Sequence, residues 1–512
     1  MIHSPENEKF KNRLGEFSRR RLIKLAGLAG AGTALTPGFI KAAAFLGPDQ
    51  PANAISPIMH QLSKYMSTAG TRALPEEVVE KAKQHILDTF AAMISGSGLP
   101  PGRAALEFAR AYGGKEIATV VASKIVCGPI EAAFANGVLA HSDETDDSHG
   151  PSRSHPGVST VPAGFASGEQ YEISGAHFVR AVTLGYDIGT RVSMSLGGPG
   201  YQAATHRSTH GTAACFCAGA AAGCAAGLNT EQMRLLLDYT AQQTSGIGAW
   251  SRDVEHMEKA FLFAGKPAGV AVLTASLIHS GWSGVEDIFS GSDNFYEALA
   301  PRENGAIKAD PSLLVDKLGE RYEIVRTNVK KWTVGSPIQA PLDAMVIFFK
   351  QRSFTADDVQ KVVVRVATDE ANTVSNRDIP DICMEHMVAV MLLDKTVTFQ
   401  SVHDKARMKD PAVLRVRSKV EVVPDPRMDA RRPRREAIVE LTLADGTLLT
   451  EWVRDVRGTA DNPMTRTEVV DKARDLIAPV LGNTACSNLI NKLLALETLK
   501  DVRELRPDLQ RS

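Results

Sequence analysis

The chain has almost no net charge. Across 512 residues, 58 Lys and Arg stand against 59 Asp and Glu, a formal charge of −1. Such a balance leaves no electrostatic footprint for nucleic acid or an anionic membrane surface. An anionic substrate must therefore be held by a few placed cations rather than by a general field. The six cysteines (Cys127, Cys215, Cys217, Cys224, Cys383 and Cys486) contain no CxxC pair. Three of them share the small-residue stretch from Ala213 to Gly227, at a spacing poor for tetrahedral metal ligation. They read as small apolar packing residues, and no disulfide framework is implied. Internal repeats are lacking too. The Arg-rich stretch 427–435 is flanked by acids and has no interleaved aromatics, so it reads as a solvated loop.

What is present is an ordinary globular composition, 44% apolar and 23% charged, over a length that suits two domains. The first 44 residues stand apart. Ser18 to Lys24 holds a run of arginines, Leu25 to Ala34 is mildly apolar, and Ala42 to Ala44 supplies small residues. That order is the pattern of a twin-arginine export signal. It predicts a periplasmic protein, with a cytoplasmic one as the alternative. The apolar run is too short and Gly-rich for a membrane span, so no stable membrane insertion is expected once the signal is removed.

The remainder predicts a mainly α fold with a smaller α+β domain. From 50 to 320 the pattern is helical. Pro75-Glu76-Glu77 opens a helix whose apolar stripe runs through Val78, Ala82, Ile86 and Phe90, and which stops near Ser95-Gly96-Ser97-Gly98. The eight alanines between Ala213 and Gly227 predict a central helix that lets its neighbours approach closely. Between 321 and 456 the character changes: Val362 to Val366 is β-branched, and Asp445-Gly446 between two strand-like halves marks a hairpin. Helical patterning returns over 457–512.

Six of the thirteen histidines lie between 141 and 210, so acid/base chemistry is sought there first. The densest cluster runs from His141 through Asp143, Glu144, Asp146, Asp147 and His149 to His155, on a loop after a helix. Carboxylates beside imidazoles suit a general acid/base site. They also suit a divalent metal or a merely solvated loop. A second cluster, His206, Arg207 and His210, precedes the small-residue helix, whose free N–H groups favour an anion. A third contains His256 and Lys259.

Several segments carry a resemblance in sequence order over about residues 55–481. They are Asp88-Thr89-Phe90, Ala135-Asn136-Gly137 before His141, Asp146-Asp147-Ser148 with His155-Pro156, and Phe216 to Gly227 after His210. Lys259 with Gly265, Gly281 to Gly284, Lys330-Lys331-Trp332 with Leu342-Asp343, and Asp461 to Thr465 continue it. The chain resembles the MmgE/PrpD family of 2-methylcitrate dehydratases, cis-aconitate decarboxylases and iminodisuccinate epimerases. The resemblance implies a large helical domain with an α+β lid, a site between them, and a homodimer. It places the family's site residues on Glu144, Ser148, His155 and Lys259, and its second histidine on His206 or His210. Two positions depart from the decarboxylase members: Gln339 stands where they carry a histidine, and His386 where they carry a tyrosine.

The expectation is a lyase or isomerase acting on a small di- or tricarboxylate at the carbon next to a carboxylate. Dehydration ranks first, then epimerisation or decarboxylation. The catalytic set is His155, His210, Lys259, Glu144 and His386, with His386 entering from the lid. Ser148, Asp147, His206, Arg207 and Gln339 are expected to bind substrate. No metal or organic cofactor is implied. Two rivals remain: a metal-dependent hydrolase using His141, Asp143, Asp147 and His155, and a silent carboxylate-binding protein, which the loss of acid/base capacity at Gln339 would favour.

Overall fold

Proline and two acids start the first long helix where the sequence places it. In the structure, a computed structural model that describes residues 55–511, Glu76–Gly96 is helical, with Glu76 and Glu77 in its first turn. The acids favour the positive end of the helix. The twin-arginine segment lies outside the described residues. The principal helices are α1 (Pro57–Ser67), α2 (Glu76–Gly96), α3 (Pro100–Tyr112), α4 (Pro129–Ala140) and α5 (Gly157–Gln170). They continue with α6 (Gly175–Ser195), α7 (Thr209–Ala225), α8 (Thr230–Gln242) and α9 (Met257–His279).

Helix α7 is the small-residue helix. Ser208 caps it by accepting from the Gly211 N–H (3.2 Å), and every residue of it is buried. Its neighbour α6 meets it backbone to backbone: a Cβ at Gly189 would land on Cys217 Sγ. Close approach of this kind replaces large side chains as the source of packing density. Helix α9 is apolar and long enough to cross a membrane, yet 67% of its most apolar window is buried inside the protein, as befits a core helix. Its second turn, Phe261–Gly265, is π-helical. Such insertions turn a side chain that a regular helix would place elsewhere.

The helical core extends from Met59 to Val329 and resumes from Met464 to Leu509. A second core, Val334 to Val456, fills the smaller domain. The expected boundary at 321 therefore falls early. Tyr322, Ile324 and Val329 stay with the helices, and the buried Glu323 ties this segment to His149 and Arg321.

The smaller domain is built on a four-stranded sheet of β1 (Val359–Val366), β2 (Val420–Pro424), β3 (Ala437–Leu443) and β4 (Leu448–Val453), in the order β2-β1-β3-β4. The β3–β4 hairpin turns where expected, with Gly446 at φ +83°. Strands β1 and β2 are parallel, so the chain must cross over between them. That crossover holds the Pro380–Ile382 turn, α11 (Met384–Asp394) and α12 (Phe399–His403), while α10 (Gln339–Gln351) precedes β1. Two helices, α13 (Arg466–Leu481) and α14 (Asn483–Leu494), return to the helical domain and pack on α2. The fold is thus mainly α with a smaller α+β domain.

Candidate active site

Helix α4 ends at His141, and the next six residues form a loop almost without solvent contact. Buried carboxylates need partners, and two lysines supply them. Lys259, from the first turn of α9, forms an ion pair with Glu144 Oε1. Lys330 Nζ donates to the Glu144 carbonyl (2.8 Å) and to its Oε2 (3.2 Å), and lies 3.7 Å from Asp146 Oδ1. Burial alone would raise both carboxyls. For Glu144 the two lysines override it, and for Asp146 His155 and Lys330 do, so each sits well below the usual carboxylate range. A third lysine, Lys472 of α13, bonds the Thr145 carbonyl (2.9 Å) and pairs with Asp88 (2.7 Å), which anchors the loop from behind.

The histidines line the same loop. His155 Nδ1 donates to the Asp147 carbonyl (2.7 Å), with Asp146 Oδ2 2.6 Å away. A carbonyl only accepts, so Nδ1 carries the proton and Nε2 is left for chemistry. His141 Nδ1 faces Asp146 Oδ1 at 3.0 Å. The π-turn residue Phe263 stacks on His210 (centroids 4.1 Å apart, planes 4° apart) and on His141 (5.1 Å, 18°). His155 lies beside both histidines, at 5.1 Å from His141 and 5.3 Å from His210. His256, left-handed at φ 61°, packs its ring 5.1 Å from His141. Burial pushes His141 down and holds His210 and His256 well below the usual imidazole value, so these rings are neutral.

The site has a sealed layer and a reachable one. Side chains of Glu144, Asp146, Lys330 and His141 are at most 4% exposed, whereas Lys259 (15%), His155 (10%) and the lid residue His403 (20%) keep solvent contact. His403 pins its Nδ1 to the Phe399 carbonyl (2.6 Å) and points Nε2 at Asp143 Oδ2 (3.1 Å). Burial works against its charge, but Asp143 and Asp381 outweigh it and raise its pKa. Asp381, from the turn before α11, is buried, with Asp143, Glu144, Lys259 and His403 as its charged neighbours. Burial, reinforced by the two acids, pushes it up to about 7.

Of the expected residues, the structure brings Glu144, His155, His210 and Lys259 together. Asp147 sits behind them: its carboxylate accepts from the Gly157 N–H (3.1 Å) and the Tyr186 hydroxyl and faces His85 (3.1 Å), so it braces the loop rather than facing substrate. Half-buried Ser148 bonds Asn328 through its backbone at 3.0 and 2.8 Å. His206 and Arg207 line an open groove of about 590 Å³ with Gln202, Ile247 and Arg252, and Arg207 donates to the Ala298 carbonyl.

Two lid expectations need correction. Gln339 uses its whole amide on backbone, donating to the Trp332 and Val334 carbonyls (2.7 and 2.9 Å) and accepting from the Trp332 N–H (3.0 Å). It staples a turn, so its inability to titrate says nothing about lost catalysis. His386 points into the apolar lid core, neither ring nitrogen bonded, its pKa lowered to about 4 by burial and by Arg417 and Arg407. The lid reaches the acidic loop through Asp381 and His403 instead.

The metal quartet is not assembled either, since Asp147 is engaged elsewhere and Asp143 is held by Thr145 and His403. A different trio, His141, Asp146 and His155, offers ligand atoms within 4.8 Å of one another. Its carboxylate already carries the Lys330 ammonium at 3.7 Å, which a cation would have to displace.

Sequence reasoning passed over Lys330, Asp381 and His403 as chemistry. Lys330 stood in a quoted segment, but the other two lie on a crossover whose path a sequence pattern does not reveal.

A helical domain presenting neutral histidines and paired carboxylates, with an α+β lid against it, brings together groups that can take and give protons. Residues 60–307 match the MmgE/PrpD N-terminal domain and residues 332–497 the MmgE/PrpD C-terminal domain. The chain belongs to the MmgE/PrpD family. It is 23% identical to the cis-aconitate decarboxylase-like protein oryM of Aspergillus oryzae over 472 residues, covering 87% of this chain and 95% of the relative. Identity to the cis-aconitate decarboxylase of Aspergillus terreus is 22% over 488 residues (89% and 96%). To that of Mus musculus it is 24% over 443 residues (84% and 88%). Together these relatives support a lyase acting on a carboxylate.

Proposed function

We propose that the chain is a hydro-lyase that removes water from a small di- or tricarboxylate. The observation that carries this reading is His155: its Nδ1 is committed to the Asp147 carbonyl, so Nε2 is the ring nitrogen that can exchange a proton, and Lys259 acts on the same Glu144 as this ring. Lys259 keeps solvent contact and can take a substrate carboxylate. An adjacent cation also stabilises the electron pair left when a proton is taken from the neighbouring carbon. The neutral His210, stacked on Phe263, is a second proton acceptor within the same wall.

Decarboxylation is the second reading, favoured by the names of the fungal and mouse relatives. Both reactions place an electron pair beside a carboxylate. Decarboxylation needs only an acid to protonate carbon, whereas loss of water needs a base at carbon as well. A base at carbon, the role this reading gives His155, therefore favours dehydration. The test is product analysis by NMR and headspace CO₂ after incubation with citrate, 2-methylcitrate, malate and cis-aconitate. A new alkene without CO₂ supports the hydro-lyase. Release of CO₂ makes the chain a decarboxylase, and an unchanged panel removes both readings.

A further inference from the structure

The lid lowers into the site a carboxylate that, among the described residues, no group hydrogen-bonds on one side. Asp381 is 3% exposed, and its Oδ1 is buried without a hydrogen-bond partner. Its charged neighbours are Asp143 and Glu144 on the acidic loop, Lys259 on α9 and His403 on α12. None of them hydrogen-bonds that oxygen. Glu144 is engaged by Lys259 and Lys330, and Asp143 by Thr145 and His403. A buried acceptor beside two like charges destabilises the fold unless it carries a proton or meets a donor. Burial and the two acids do hold a proton on it close to neutrality, while His403 and Lys259 keep that proton from being locked in place. The turn that carries Asp381 packs on α12, whose His403 points Nε2 at Asp143 of the acidic loop (3.1 Å).

On the lyase reading above, we propose that Asp381 is the catalytic proton donor, passing its proton to the departing group of the bound substrate when the lid is closed. His155 Nε2 takes the proton from the carbon next to the carboxylate, and that C–H electron pair becomes the new C=C π bond. The C–O bond breaks with its electron pair, the hydroxyl oxygen receives the Asp381 proton, and water leaves. The enzyme is left with a protonated His155 and an ionised Asp381. A net transfer of one proton back to Asp381 resets them. His403, pinned to the Phe399 carbonyl and paired with Asp143, is a positioning residue that seats this lid segment on the acidic loop.

The test compares wild type with Asp381→Asn, which keeps the shape and removes the proton. With a hydroxy acid that wild type dehydrates, kcat falls by about a hundredfold or more in the variant while KM changes little. The arm of the pH–rate profile that reports an essential acid disappears with it. Replacing the substrate hydroxyl by chloride, which leaves without a proton, restores the variant to near wild-type turnover; a merely structural role gives no such rescue. A second readout needs no turnover. Calorimetry with the unreactive tricarballylate, in two buffers of different ionisation heat near neutral pH, shows proton uptake on binding by wild type and less by Asp381→Asn. Equal uptake, or equal turnover of the hydroxy acid, overturns the assignment while leaving the lyase reading intact. If wild type neither binds tricarballylate nor acts on any carboxylate of the panel, the lyase reading fails and the assignment falls with it.

Discussion

Lys330 holds Glu144 twice, through the main-chain carbonyl at 2.8 Å and the carboxylate at 3.2 Å. One ammonium thus fixes both the path of the acidic loop and the charge of its central residue. With both side chains almost sealed from water, the pair is weak evidence of net stability but a severe loss when halved.

Glu144→Gln leaves Lys259 and Lys330 facing a neutral amide. It is expected to destabilise the protein by about 3–5 kcal/mol, the range for breaking a buried pair, read from urea unfolding of purified protein. Adding Lys330→Met should recover part of that loss, since it removes one stranded charge. A single variant as stable as wild type would mean that the pair is solvated in solution.

The pH dependence of stability follows from the buried histidines. His141, His210 and His256 have folded values below the unfolded one of about 6.5. The unfolded chain therefore binds more protons as pH falls below about 6.5, and their contribution is lost on the acid side. Glu144 and Asp146 add a further loss at lower pH, as the medium approaches their depressed values. His403 acts oppositely: its raised value favours the folded state in acid, and that contribution is lost as pH rises through it. The lowered His149, His177 and His386 add to the acid-side loss, while the raised Asp381 and Asp187 oppose it with His403. With the lowered histidines in the majority, the urea midpoint should drop between about pH 7 and 5, with a shallower slope in His210→Phe. A flat midpoint across that window would contradict the neutral-histidine assignment.

Much of the fold was legible because local chemistry wrote it. Pro75-Glu76-Glu77, the alanines after Thr212 and Asp445-Gly446 each act within a few residues, and their elements formed where expected. The acidic loop was legible for the same reason. The lid was not, since its chemistry is set by a crossover between parallel strands that turns His386 into the core and Asp381 and His403 outward to the loop. Gln339 misled because a residue type was judged without its partners, which are backbone groups of the adjacent turn.

His386→Leu should therefore keep wild-type turnover, because the ring is fully buried within the lid and neither of its nitrogens is hydrogen-bonded. Gln339→His should gain no activity and lose stability, because an imidazole cannot replace the three backbone hydrogen bonds of the amide. Steady-state kinetics with thermal melts decide both. A His386→Leu enzyme that folds but is inactive would return that residue to the site.

The central claim is that His155 Nε2 takes a proton from carbon beside a carboxylate held by Lys259. The most direct measurement is deuterium incorporation from D₂O into the substrate carbon of a di- or tricarboxylate, followed by NMR for wild type and His155→Gln. Wild type should exchange that hydrogen, and the variant should exchange it at least about a hundredfold more slowly. Exchange at the wild-type rate in His155→Gln would contradict the account.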